Sequence, residues 1–268
     1  MSEICKKCSN EIVLNFCGNC GQKKAKRIDR TYIKDEIQYT VFHMNKGFLY
    51  SIKKILRAPG KTAREFLEGN RVNHYKPILL LFVVAGFSAF LTNTFIHPDT
   101  VLAEIYQRSS QKIPQFQIQF NSFIFKYQAI VMLLTVPFMA FFAWLAFKKW
   151  GYNYYENVVI TAFSLICLQS LTIILVIPVQ YLLKDNANLF ILIPTIITTV
   201  LMIVVFIWFY LELYSNKIPG DVILRLLLLG ALMLLGFVLL IIIGILIIVG
   251  YVILFDIDTS IFTGVKSA

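Results

Sequence analysis

The chain is poor in charge, poor in histidine, and without any familiar reaction motif. Asp, Glu, Lys and Arg together make up 15% of its 268 residues, and histidine occurs three times. No HExxH, GxSxG, P-loop or dinucleotide fingerprint is present, so no residue can be named as a catalyst. An enzyme is not thereby excluded. His43, His74 and His97 have no metal-ligand spacing and read as interfacial or loop residues. The scarcity of charge does exclude an ordinary soluble domain: hydrophobic residues reach 58%, against roughly 45–50% in such domains. No basic segment followed by an apolar one precedes the first cysteines, so no cleavable leader is expected.

What charge there is lies at the front. Residues 1–76 hold 16 Lys and Arg against 7 Asp and Glu, and the remaining 192 hold 9 against 8. A basic head on an apolar body points first to the head groups of anionic membrane lipids and only second to nucleic acid. Four of the five cysteines form two CxxC pairs in this head, which argues for metal in a reducing compartment rather than for disulfides.

Cys5-x2-Cys8 and Cys17-x2-Cys20 are eight residues apart. Each CxxC makes a tight turn that aims two thiolates at one point, and two such knuckles supply the tetrahedral sulfur shell that zinc accepts. Gly18 and Gly21 suit the positive φ that such turns often need. Ile12, Val13, Leu14 and Phe16 are too few apolar groups to fold alone. The metal would supply the folding free energy, on the order of 10–16 kcal/mol for structural zinc. Four cysteines close the shell to water, so the expected cofactor is structural Zn2+ on Cys5, Cys8, Cys17 and Cys20. Iron in a rubredoxin-like site and a redox dithiol are the alternatives.

Residues 1–22 thus read as a zinc ribbon and residues 23–30 as a basic linker, a solvated tether in preference to a nucleic-acid arm. Residues 31–76 read as amphipathic basic helices. Ile33, Ile37, Val41 and Met44 recur at helical spacing, and Asn45-Lys46-Gly47 breaks the pattern. A second helix runs to about Arg57 with Phe48, Ile52, Ile55 and Leu56 on one side. Pro59-Gly60 is a turn signal. A third helix carries Phe66 and Leu67, and Gly69 can cap it. Such short stripes gain most by burial at a bilayer surface, with Lys46, Lys53, Lys54, Arg57, Lys61, Arg64 and Arg71 meeting lipid head groups. The alternative is a soluble hairpin packed on the ribbon.

The ribbon ending FCGNCGQ, the basic linker, then KGFL, APG, REFLEGNR and a Tyr-x-Pro ahead of the first apolar run resemble a bacterial family of membrane proteins of unknown function, DUF3667. The motifs cover roughly residues 1–80. Asn45 and Asn70 depart from the acidic and basic residues expected there. The resemblance implies architecture and membrane location and brings no activity with it.

Five uncharged segments follow, 77–96, 127–147, 157–183, 186–211 and 226–255. Each has the roughly 20 residues needed to cross about 30 Å of hydrocarbon. Twenty basic residues fall on the side of the head and five on the other. This predicts a cytoplasmic N-terminus, an extracytoplasmic C-terminus and a short outer tail, residues 256–268, in the inner membrane. In the loop between the first two spans, Gln115, Gln117 and Gln119 alternate with Phe116, Ile118 and Phe120, which predicts a strand or an extended interfacial segment.

Within the spans, Gln169, Ser164 and Ser170 read as interhelical hydrogen-bonding groups, with a substrate pathway as the alternative. Glu212 and Arg225 flank a short loop and are placed to pair. Pro137, Pro178 and Pro194 kink helices or mark their ends, and Cys167 is a small apolar filler. Asp256 and Asp258 read as a polar helix end rather than a cation site. The expected fold is therefore an all-α integral membrane protein, five transmembrane helices with a small N-terminal four-cysteine zinc ribbon and interfacial amphipathic helices. The expected function is a non-enzymatic scaffold or adaptor whose ribbon docks a protein partner. A small transporter or channel with a regulatory ribbon is the alternative, and a lipid-acting enzyme has only the Asp pair and interfacial loops behind it. An oligomer is compatible with either reading.

Overall fold

The computed structural model describes residues 3–5, 8, 10–12, 16–20, 47–71, 74–98, 100–101 and 115–255. Of residues 3, 12, 115–118, 121, 125, 187–188 and 247–255 it describes the backbone only. The expectations for residues 23–46, the loop at 102–114 and the tail at 256–268 lie outside these residues, and with them Gly21, His43, Lys46, Asp256 and Asp258. The chain divides into two units, Met1–Lys46 and Gly47–Ala268. In the first, β1 (Glu3–Ile4) pairs antiparallel with β2 (Glu11–Ile12). The Cys5 N–H donates to the Asn10 carbonyl at 2.8 Å and closes the turn between them.

The second unit is helical. Two short helices, α1 (Gly47–Arg57) and α2 (Pro59–Leu67), precede α3 (Pro77–Leu91), which ends in a π-helical turn at Thr92–Ile96. His97, at φ 51, stops that turn in the left-handed region. Then come α4 (Gln115–Lys126), α5 (Gln128–Phe147), α6 (Tyr154–Leu183), α7 (Ala187–Leu213) and α8 (Pro219–Phe255). Five helices are long and apolar enough to cross a membrane: Pro77–Ile96, Gln128–Trp150, Tyr154–Leu183, Leu189–Leu213 and Pro219–Leu246. The fold is that of a multi-pass membrane protein.

Helix α6 is the hub, because it is apolar on every side and carries small residues where neighbours approach. Its most apolar window is 67% buried inside the protein, against 11% for that of α8. Helices α3, α5 and α7 surround it, and α8 offers most of its Leu and Ile side chains outward, as hydrocarbon requires. The short connections are built by caps. Gly151, at φ 102, turns the chain after α5, and Asn153 then forms a capping box with Glu156. The Asn153 side chain accepts the Glu156 N–H at 2.9 Å, and the Glu156 carboxylate accepts the Asn153 N–H at 2.7 Å.

The apolar faces of α1 and α2 are buried against α6 and α7, not held free for lipid as expected. Ile55 is 0% exposed, and Phe66 meets Phe163 of α6 edge-on at 5.4 Å. Amphipathic spacing shows that one face must leave water, and here a protein surface takes it. Pro59 and Gly60 open α2 instead of forming a turn. Proline suits the first helical position, where no intrahelical N–H bond is lost. Gly69 does cap α2: at φ 111 its N–H donates to Phe66 O, and the Asn70 N–H donates to Glu65 O, a Schellman motif.

Residues 115–126 are helical, which overturns the strand or extended reading. Positions 116, 120, 123 and 124 share a helical face, so the longer window carries a 3.6 period that the first six residues hide. Helix α8 starts seven residues before the expected 226, so that Asp221 and Arg225 lie inside it. Pro137, Pro178 and Pro194 are all interior to their helices.

A β-carbon on Gly60 would stand 2.0 Å from the Phe209 carbonyl oxygen and 2.5 Å from the Leu213 nitrogen, both backbone. Gly86 of α3 faces open space. Gly60→Ala should therefore cost about 1–3 kcal/mol, while Gly86→Ala should be neutral or stabilising by up to about 1 kcal/mol. Thermal unfolding of both variants in one detergent checks the contrast.

Candidate metal centre and basic rim

The four N-terminal sulfurs converge. Cys5 Sγ lies 3.6 Å from Cys20 Sγ, Cys8 Sγ lies 3.5 Å from Cys17 Sγ, and all four fall within 4.8 Å of one another. Each short contact joins one knuckle to the other. These separations are far beyond a disulfide bond of about 2.05 Å. They match the edge of a sulfur tetrahedron, about 3.8 Å when each metal–sulfur bond is about 2.3 Å. Cys5 and Cys17 are buried, while Cys8 and Cys20 are partly open. Backbone N–H groups of Cys20 and then Asn19 lower the Cys17 thiol to about 6, which favours the thiolate a metal needs. The donor set therefore fits one metal ion in a closed shell. Gly18 does not take the positive φ expected of it; among the described residues the glycines that do are Gly69 and Gly151.

The second candidate lies in the helical unit, at the end where α3, α6 and α8 begin and α5 and α7 finish. Here α2 approaches α7 so closely that the Glu212 carboxylate sits at the start of α2. One oxygen accepts the N–H of Gly60 at 3.1 Å and of Lys61 at 3.4 Å, and the other accepts Trp208 Nε1 at 2.9 Å. A carboxylate at a helix N-terminus satisfies otherwise orphaned donors and opposes the positive end of the dipole.

Arg225 is not the partner of Glu212. It donates to the Ala146 carbonyl at 2.6 Å and lies over the Trp150 ring at 4.5 Å. Each charge found a nearer partner on another helix, which loop proximity cannot foretell. Around Trp150, Phe147 stacks on Tyr210 at 4.8 Å and on Tyr214 at 5.1 Å. The sequence reading missed this cluster, although Trp, Tyr, Lys and Arg at the ends of apolar runs were its available signal.

Eleven of the described bases gather at this end with five acids, while the opposite end, where Ile96, Ile177 and Phe190 pack, has two bases and one acid. Of the expected lipid-contact residues, Lys53, Arg57 and Lys61 are exposed on α1 and α2. Lys54 is instead engaged with Glu65 at 2.7 Å, and Arg64 donates to Ser215 Oγ. Arg71 folds back on the Phe66 carbonyl and ring.

Inside the bundle, Ser164 Oγ donates to Thr161 O of its own helix rather than to a neighbour. Gln169 Nε2 and Ser88 Oγ are buried without a hydrogen-bond partner among the described residues, and Cys167 is buried in the core. His74 lies in the connection between α2 and α3, a loop residue as expected, and is buried beside α1 and α2.

Residues 45–89 match the model of a family described as a protein of unknown function, DUF3667. The match runs from α1 through α2 into α3 and so includes Gly60, but not Glu212, Trp150 or Arg225. No curated protein and no solved structure matches the chain.

Glu212→Ala should destabilise the protein by about 1–3 kcal/mol, because two backbone donors and an indole lose a charged acceptor. Glu212→Gln should cost less. Faster backbone hydrogen exchange at Gly60 and Lys61 in the alanine variant is the accompanying readout.

Proposed function

We propose that the protein is a non-enzymatic adaptor of the bacterial inner membrane, whose zinc-ordered N-terminal unit docks a protein partner in the cytosol. The observation that carries this reading is the closed four-sulfur shell. Four thiolates leave no position for water or substrate, so the ion builds a surface and performs no reaction. Zinc fits such a site by geometry and charge, and a reducing cytosol keeps its thiols free. The surplus of bases at one end of the helical unit supports that end as the cytoplasmic one. Exposed Lys53, Arg57 and Lys61 there suit anionic lipid head groups.

A second reading has one observation in its favour. Gln169 Nε2 and Ser88 Oγ are buried and, among the described residues, unpartnered within helices that are apolar enough to cross the hydrocarbon, where orphaned polar atoms mark solute or water paths. Flux of a polar solute into proteoliposomes that Gln169→Leu abolishes would replace the adaptor reading with a transporter.

Purified protein should carry one zinc per chain. Cys5→Ser with Cys17→Ser should remove the metal and the co-purifying partner, yet leave the chain resistant to alkaline carbonate extraction. A full complement of partner without metal would refute the docking role.

A further inference from the structure

His74 lies three residues before the first membrane helix and is 8% exposed. Its backbone N–H donates to Arg71 O, and the next residue is pinned down: the Tyr75 N–H donates to Ser51 Oγ of α1 at 2.8 Å. The His74 ring is caged by Tyr50 of α1 at 5.4 Å and Phe66 of α2 at 6.1 Å. Both ring nitrogens are buried, and neither has a hydrogen-bond partner among the described residues. Buried polar atoms are normally hydrogen-bonded, so a buried imidazole with two unanswered nitrogens carries a desolvation cost that nothing offsets. It is tolerable while neutral and far less so when charged.

The charged neighbours sharpen the point. Lys54 of α1 and Glu65 of α2 form the ion pair that ties the two helices together, and both reach His74 electrostatically. Arg71 lies over the Phe66 ring. Lys61 acts on Glu65 as well. Tyr75 is held neutral by burial, and α6 contributes Phe163, an uncharged ring, behind Phe66. A proton on His74 would therefore meet one carboxylate that is already taken, and one ammonium that repels it.

We propose that His74 is a proton-operated latch: neutral, it seals the α1–α2 clamp onto the membrane bundle, and protonated, it can no longer be kept in its uncharged cage beside Lys54 and loosens the clamp. Burial and then the Lys54 charge lower the affinity of His74 for its proton. The sign follows by linkage. The unfolded or opened segment binds the proton more readily, near the ordinary 6.5, so the closed form is fully favoured above that pH and loses its advantage as pH falls through it. The proposal is independent of the adaptor reading, since it concerns the helical unit alone.

The test uses full-length protein in nanodiscs. Hydrogen exchange of the segment spanning residues 47–71 is compared at about pH 7.5 and about pH 5.5, either side of the ordinary imidazole value, after correction for intrinsic rates. Wild type should open several-fold more at the lower pH, and at most about tenfold, the limit for one group whose ordinary value is 6.5. His74→Phe, which fills the cage without titrating, should show equal protection at both. Two results overturn the latch: wild-type protection that does not change with pH, or a His74→Phe protein that loosens as much as wild type. If His74→Phe does not fold, His74→Leu supplies the second arm, with the same expectation of equal protection at both pH values. A His74→Leu protein that loosens as much as wild type overturns the latch.

Discussion

The helical unit depends on one close approach, the start of α2 lying backbone against backbone on the end of α7. Only glycine permits it, since any side chain at position 60 would enter the space of the Phe209 carbonyl. Two problems then solve each other. A helix beginning at Pro59 has unsatisfied N–H groups, and a helix ending near Leu213 carries an acid close to hydrocarbon. Glu212 accepts two of those donors while Trp208 holds its other oxygen. Once α2 is seated, α1 follows, because Ala58 alone separates them and Lys54 bonds to Glu65. The Schellman turn at Gly69 and the Ser51 hydroxyl then set where α3 begins. A block that reads as loose surface helices is in this way a folded clamp.

The parts legible from sequence were those written in local periods or spacings. Unbroken apolar runs announce spans because backbone polar groups in lipid must be satisfied within a helix. Two CxxC knuckles announce a four-sulfur cluster because the ligands lie close in sequence. Gly69 announced a helix stop for the same local reason. What stayed hidden was the choice of partner. The stripe of Phe48, Ile52 and Ile55 states that a face will be buried and is silent on whether lipid or protein buries it. Glu212 and Arg225 are near in sequence and were matched on that ground, yet Gly60 and Trp150 reached them first. Pro59-Gly60 carries the same letters whether it turns a loop or opens a helix, and tertiary contact decides. His74 gave no signal at all, because an isolated histidine says nothing of its burial.

Internal pairing also decides which charges the surroundings meet. Lys54, Arg64, Arg71 and Arg225 are each spent on a carboxylate, a hydroxyl, a carbonyl or a ring. Lys53, Arg57, Lys61 and Lys149 stay outward. A tally of bases by sequence overstates the field available to lipid, and exposure corrects it. The correction leaves its sign unchanged, since Glu65 and Glu212 are spent as well.

The two units draw on different sources of stability. The N-terminal one has a hairpin of two-residue strands and four convergent sulfurs, so bonds from sulfur to a metal ion would order it. The helical unit is ordered by van der Waals packing around α6 and by the Glu212 cap, neither of which involves the metal. Loss of the ion should therefore remove the surface of one without unfolding the other. That separation would let the proposed docking surface and the membrane-spanning helices share one chain, because a substitution that ruins either leaves the other intact to be measured.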